Sequence, residues 1–153
     1  MTLLLPFMLG EERYGLKLTD IQEVIEDAER HYLPAAPAAF IAAVNVHGRI
    51  LPVLDLPLFL GFPPAHWSER MIVLAQRDFP VVLAVDQLEP LLSVELEQVT
   101  LTQSDAPSDC INGVLNWQGQ MISLLDLEQL HKAVQELCFP PGGNHATART
   151  DRR

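Results

Sequence analysis

Long apolar runs, paired cysteines and basic residues are all scarce in this 153-residue chain, and each scarcity removes a class of function. No stretch reaches the ~18 consecutive apolar residues of a membrane span. The opening Thr2-Leu3-Leu4-Leu5-Pro6-Phe7-Met8-Leu9 is apolar, but it has no basic flank or small-residue cleavage site, and Glu11-Glu12 follow at once. It reads as a strand and not as a secretion signal. The only cysteines, Cys110 and Cys138, match no paired zinc spacing and read as small apolar groups in a reducing compartment. Ten Lys and Arg face twenty Asp and Glu, and Arg149, Arg152 and Arg153 crowd the last five residues. From Met1 to Cys138 the count is 7 basic against 19 acidic, a net charge near −12. Phosphate backbones and anionic lipid require clustered Lys and Arg, so nucleic acid and membrane insertion are excluded as partners and a cytoplasmic protein is expected.

Catalytic signatures are absent too. No G-x-S-x-G, Gly-rich phosphate loop or C-x-x-C occurs. His31, His47, His66, His131 and His145 form no i,i+4 pair, so neither a metal site nor a cofactor is expected. Asp55 and Asp126 invite reading as an acid–base pair, but each precedes a short apolar segment and serves better as a helix N-cap, worth roughly 1 kcal/mol. The acidic run Glu11, Glu12, Asp20, Glu23, Glu26, Asp27 and Glu29 reads as a solvated face. Trp117 is expected in the core or a groove, and Trp67 as an exposed aromatic.

What the chain does have is many short apolar runs punctuated by Gly and Pro, the pattern of a mainly β protein. Leu3 to Leu9 and Arg13 to Leu18 read as a hairpin about Gly10-Glu11-Glu12. Thr19 is expected to cap one helical turn, with Gln22 at the capping-box position and Ile21, Val24 and Ile25 on one face. Ala43 to Val46 and Arg49 to Leu54 form a hairpin at His47-Gly48, where Gly supplies positive φ. A short helix runs from Asp55 to Leu60. Arg70 to Ala75 and Val81 to Val85 make another strand pair, and Thr100 to Asp109 a polar connection. A last hairpin turns at Gln118-Gly119, and Asp126 opens the one long helix, with Leu127, Leu130, Val134 and Leu137 on a stripe. Residues 139–153 are expected to be a frayed tail.

The two halves also match by subtraction. Adding 71 takes Asn45, Gly48, Leu54, Asp55 and Leu56 to Asn116, Gly119, Leu125, Asp126 and Leu127. Adding 67 takes Leu16, Leu18, Ile21 and Val24 to Leu83, Val85, Leu88 and Leu91. Repeats at about 3–61 and 70–130 therefore point to one domain, residues 1–138, of two similar β subdomains that share a core and leave a groove between them.

From about Leu3 to Leu137 these segments resemble the CheW-like family, the coupling proteins of bacterial chemotaxis arrays and the regulatory domain of the CheA histidine kinase. Gly10 to Leu16 resembles the opening hairpin, Ile21 to Ile25 the V-Q-E-I turn, and Pro37 to Gly48 the P-x-F-I-x-G-V-x-N-L-R-G stretch. Ile50 to Leu56 is similar to I-x-P-V-x-D-L, Val85-Asp86 to the second-half V-D, Gly113-Val114 to the closing G-V, and Leu124 to Glu128 to L-L-D-L-E. The resemblance implies two SH3-like five-stranded barrels on a common core, no enzymatic activity and no cofactor. It implies an adaptor that couples a chemoreceptor cytoplasmic tip to the regulatory domain of a CheA-type kinase, and that also meets other CheW-like domains. Ile21, Glu23, Ala42, His47 and Gly48 fall at its partner-facing positions.

The chain departs from the pattern at three places: His47 and Pro57 stand where Arg is usual, and Ala42 replaces a common Gly. An imidazole is largely neutral at pH 7 and has at most two donors, against the permanent charge and donor fork of Arg, so a divergent member is expected. Such a member would use a different contact set, serve pilus or surface-motility signalling, or self-associate. The rival from another class is a small ligand-binding barrel or hydrolase using Asp55, Glu23 and a histidine. It requires those groups to converge in one pocket.

Overall fold

The structure, a computed structural model, describes residues 1–63, 69–75, 77–101 and 110–138. Trp67, most of the 100–109 connection and the 139–153 segment lie outside the described residues. Twelve strands and two helices make up the described chain: β1 (Thr2–Leu9), β2 (Glu12–Lys17), β3 (Ile21–Glu26), β4 (Phe40–Val46), β5 (Arg49–Asp55), α1 (Leu56–Phe59), β6 (Arg70–Leu74), β7 (Val82–Ala84), β8 (Gln87–Leu88), β9 (Leu92–Val94), β10 (Val99–Leu101), β11 (Ile111–Trp117), β12 (Gln120–Leu125) and α2 (Leu127–Cys138).

The strands form two sheets. The first runs β10-β11-β12-β2-β1-β8, with β9 also on β1, and the second runs β3-β6-β7-β5-β4. Each is the wall of one SH3-like subdomain. The first sheet takes β1 and β2 from the front of the chain and the rest from the back, while the second borrows β6 and β7 from the back. The halves have thus exchanged hairpins. The offsets of 67 and 71 carry through the registers: Met71 faces Ala84 as Leu4 faces Lys17, and Val53 pairs in parallel with Val82 as Leu124 does with Gly15. Even the irregularities recur, with a register shift between Phe40 and Ala42 and another between Ile111 and Gly113.

Exchange explains why these runs are apolar without alternating. Met71, Val73, Val82 and Ala84 fill the interior of the second barrel, whereas Ile72, Leu74, Leu83 and Val85, on the same strands, face the core shared by both barrels. A hairpin with both faces covered has no polar side to show. On β1, likewise, Leu4 joins the first barrel's interior and Leu5, Phe7 and Leu9 the shared core. Leu127, Leu130 and Val134 dock α2 on that core, while Leu137 lies at its exposed end.

Three expectations need correction. Thr19 caps no helix: Leu18–Asp20 is one 3-10 turn with no side-chain cap, and Ile21 to Glu26 then runs as a strand along β6. Its inward residues are Ile21, Glu23 and Ile25, while Val24 faces out. The β-branched Ile21, Val24 and Ile25 favour the pleated surface that β6 offers over a helical turn. The β8, β9 and β10 strands also lie where no strand was expected. They follow from the repeat, because β8 and β9 occupy on β1 the place that β3 occupies on β6, with Glu89-Pro90 interrupting the second copy. Pro90 has no N–H to give a ladder.

Candidate functional site

Both hairpin turns of the repeat are built alike. His47 and Gly48 have φ of 52° and 86°, and Gln118 and Gly119 have 51° and 81°. Two successive positive values define the tight turn whose twist suits a hairpin, so His47 adopts a left-handed conformation beside the glycine. Asn45 Oδ1 accepts from the Gly48 N–H at 2.8 Å, and Asn116 Oδ1 from Gly119 at 3.2 Å.

The first turn also closes the second barrel. Its sheet has β3 at one edge and β4 at the other. His47 Nε2 lies 2.7 Å from Glu23 Oε2, which joins the turn to the opposite edge. Gln22 Nε2 donates to the same oxygen at 3.1 Å. That amide, opposed by burial and helped by His47, holds the Glu23 carboxyl below the usual carboxylate range. His47 is 73% exposed, so the pair sits on the outside of the barrel mouth. Ile50, three residues on, is an exposed apolar side chain, as is Val24 beside Glu23. In the first barrel Pro90 and Gln118 occupy the places of Glu23 and His47, so the carboxylate–imidazole contact belongs to one end of the molecule only.

The structure therefore brings Glu23, His47 and Gly48 together at one exposed end, with half-buried Ile21 at the start of the same strand. Ala42 does not join them. It is 4% exposed and packs inside the second barrel with Val44, Val53 and Val73, so its side chain offers a partner nothing. Sequence reasoning passed over Val24 and Ile50, which the strand register makes visible. Pro57 is buried in the first turn of α1, where its missing N–H costs no hydrogen bond.

Asp55 and Asp126 are caps. Asp55 Oδ1 accepts from Leu58 N–H at 3.1 Å, and Asp126 Oδ1 from Glu128 and Gln129 N–H at 2.9 and 3.2 Å. The Gln129 side-chain amide donates to the second Asp126 oxygen, in place of the reciprocal backbone bond of a capping box. Among the described residues, recesses of about 520, 210, 380 and 200 Å³ open on the surface, and Asp55, Glu23 and the described histidines line none of these four. Trp117 is half-buried, beside the first barrel's interior and in the wall of the 210 Å³ recess.

Paired β barrels interlocked by exchanged hairpins are the architecture of a scaffold-type protein. Residues 3–135 match the CheW-like domain model, and the chain belongs to that family of chemotaxis coupling adaptors. It is 30% identical over 132 residues to a probable chemotaxis protein CheW of Rhizobium etli, covering 83% of this chain and 85% of that one. It is 26% identical over 140 residues to the chemotaxis protein CheW of Thermotoga maritima, covering 90% and 91%. The crystal structure of the scaffolding protein TtCheW from Thermoanaerobacter tengcongensis superposes with a TM-score of 0.73 at 23% identity, covering 82% of this chain and 88% of that one. These relatives favour the coupling role over pilus signalling. No helix among the described residues is long and apolar enough to cross a membrane.

Proposed function

We propose that residues 1–138 act as one non-catalytic, cytoplasmic unit that bridges a chemoreceptor cytoplasmic tip and the regulatory domain of a CheA-type kinase, with other CheW-like domains as additional neighbours. The observation that carries this reading is the exposed end at Glu23, His47 and Gly48, flanked by Val24 and Ile50. Paired polar groups beside exposed aliphatics can set orientation and supply area at once. Several weak surfaces on a rigid body gain strength in an array, where effective concentration stands in for pairwise affinity. Glu23→Arg tests the reading, because it reverses a half-buried charge at this end and places it against His47. Capture of the purified kinase regulatory domain is expected to fall while the thermal midpoint of the adaptor stays put. Equal losses of binding and stability would count against an interface role.

A further inference from the structure

The two barrels are near copies, so the places where they differ isolate what one has acquired. At the open end of the second barrel, Met71, Ala84 and Val53 are sealed in the interior and Ile41 packs against them. Their partners under the same offsets in the first barrel are Leu4, Lys17, Leu124 and Asn112. An Ala and an Ile have given way to a Lys and an Asn. Where the second barrel is filled, the first has a cavity of about 380 Å³, walled by Leu4, Val94, Val99 and Leu124, with Thr2, Lys17 and Asn112 also on its lining.

That volume lies in the range of small-molecule sites, and an apolar wall with a few polar groups is their usual chemistry. Lys17 is one of only two lysines in the chain and makes no ion pair among the described residues. Its ammonium and the Asn112 amide are hydrogen-bond donors, while the nearly sealed Leu4, Val94 and Leu124 close the floor and the partly exposed Val99 stands at the side. We propose that the first barrel binds a linear aliphatic carboxylate, its chain against Val99 and Thr2 over the floor of Leu4, Val94 and Leu124 and its carboxylate on Lys17 and Asn112. Charge complementarity selects the head group, because Lys17 is the one cation lining the cavity. An adjoining recess shares Lys17 and Asn112 and is lined by Asp20, Asp126 and Glu128, so these carboxylates compete with the ligand for the lysine.

Octanoate is the probe, titrated into the full chain while the methyl NMR signals of Leu4, Val94, Val99 and Leu124 are followed, with octanol and octylamine in parallel. Octanoate is expected to shift these methyls and leave Val53 and Met71 unmoved. Lys17→Met should weaken binding about tenfold, the loss of one charge-assisted hydrogen bond, and Lys17→Arg should retain it. Asp20→Asn should tighten it by removing a competitor. The proposal is overturned by no shift below the micellar concentration, by octanol or octylamine binding as well as octanoate, or by unchanged affinity in Lys17→Met.

Discussion

Leu83→Ala is the most informative single perturbation of this fold. Leu83 is fully buried on β7, between Leu54 of β5 in parallel register and Ile72 of β6 in antiparallel register, and it faces the shared core. Truncating a leucine at such a site costs about 2–5 kcal/mol, through lost transfer energy and the cavity left behind. A loss of about 3 kcal/mol lowers the midpoint of a domain this size by about 6–12 °C. It leaves a folded protein when the total is about 5–15 kcal/mol. The barrels share both a core and exchanged hairpins, so the damage should not stay in the second one. Urea unfolding followed by far-UV circular dichroism, by the Leu4 methyls of the first barrel and by the Val53 methyls of the second should give three coincident curves, shifted together with unchanged slope. Two separate transitions, with Leu4 reporting a native first barrel after Val53 has melted, would refute the interlocking.

Three further outcomes follow from the local geometry. Asp126→Ala removes the acceptor for two N–H groups of α2 and should cost about 1 kcal/mol in denaturant unfolding, with most of it restored in Asp126→Asn. Gly48→Ala forces an alanine to φ of 86°, where a Cβ meets no neighbour, so the expected loss of about 1 kcal/mol is a backbone cost alone and should leave the chemical shifts of the core unchanged. Asp20 is held above the usual carboxylate range, chiefly by burial. A raised folded-state value penalises the ionised form, so stability is greatest below the unfolded value near 3.9 and declines as pH rises through the folded one. Asp20→Asn should therefore be more stable than the parent at pH 7, with the gap closing as the pH of the melt is lowered below 4.

The sequence made the repeated hairpins legible because their information is local. Asn45-x-x-Gly48 and Asn116-x-x-Gly119 specify a turn, and the aspartate after each second strand specifies a cap. The β3 strand was read as helix because Ile21, Val24 and Ile25 fit a 3.6 period as readily as Ile21, Glu23 and Ile25 fit alternation, and the ladder to β6 decides between them. The β8 and β9 strands are two and three residues long, too short for any periodicity, and only the copy relation identifies them. The resemblance puts Ala42 near the partner-facing surface, and the inward phase of β4 buries its side chain. The contact of Glu23 with His47 spans 24 positions and exists only because the barrel closes, which no local pattern records.

The exchanged hairpins also set a timetable for synthesis. The N-terminal pair β1 and β2 is made first, yet its sheet partners begin at Gln87 and end at Leu125, while β3, β4 and β5 wait only for the strands that end at Ala84. On the ribosome all the strands of the second sheet are made while the leading hairpin is still unpaired. Its apolar face must then be shielded until most of the chain has emerged.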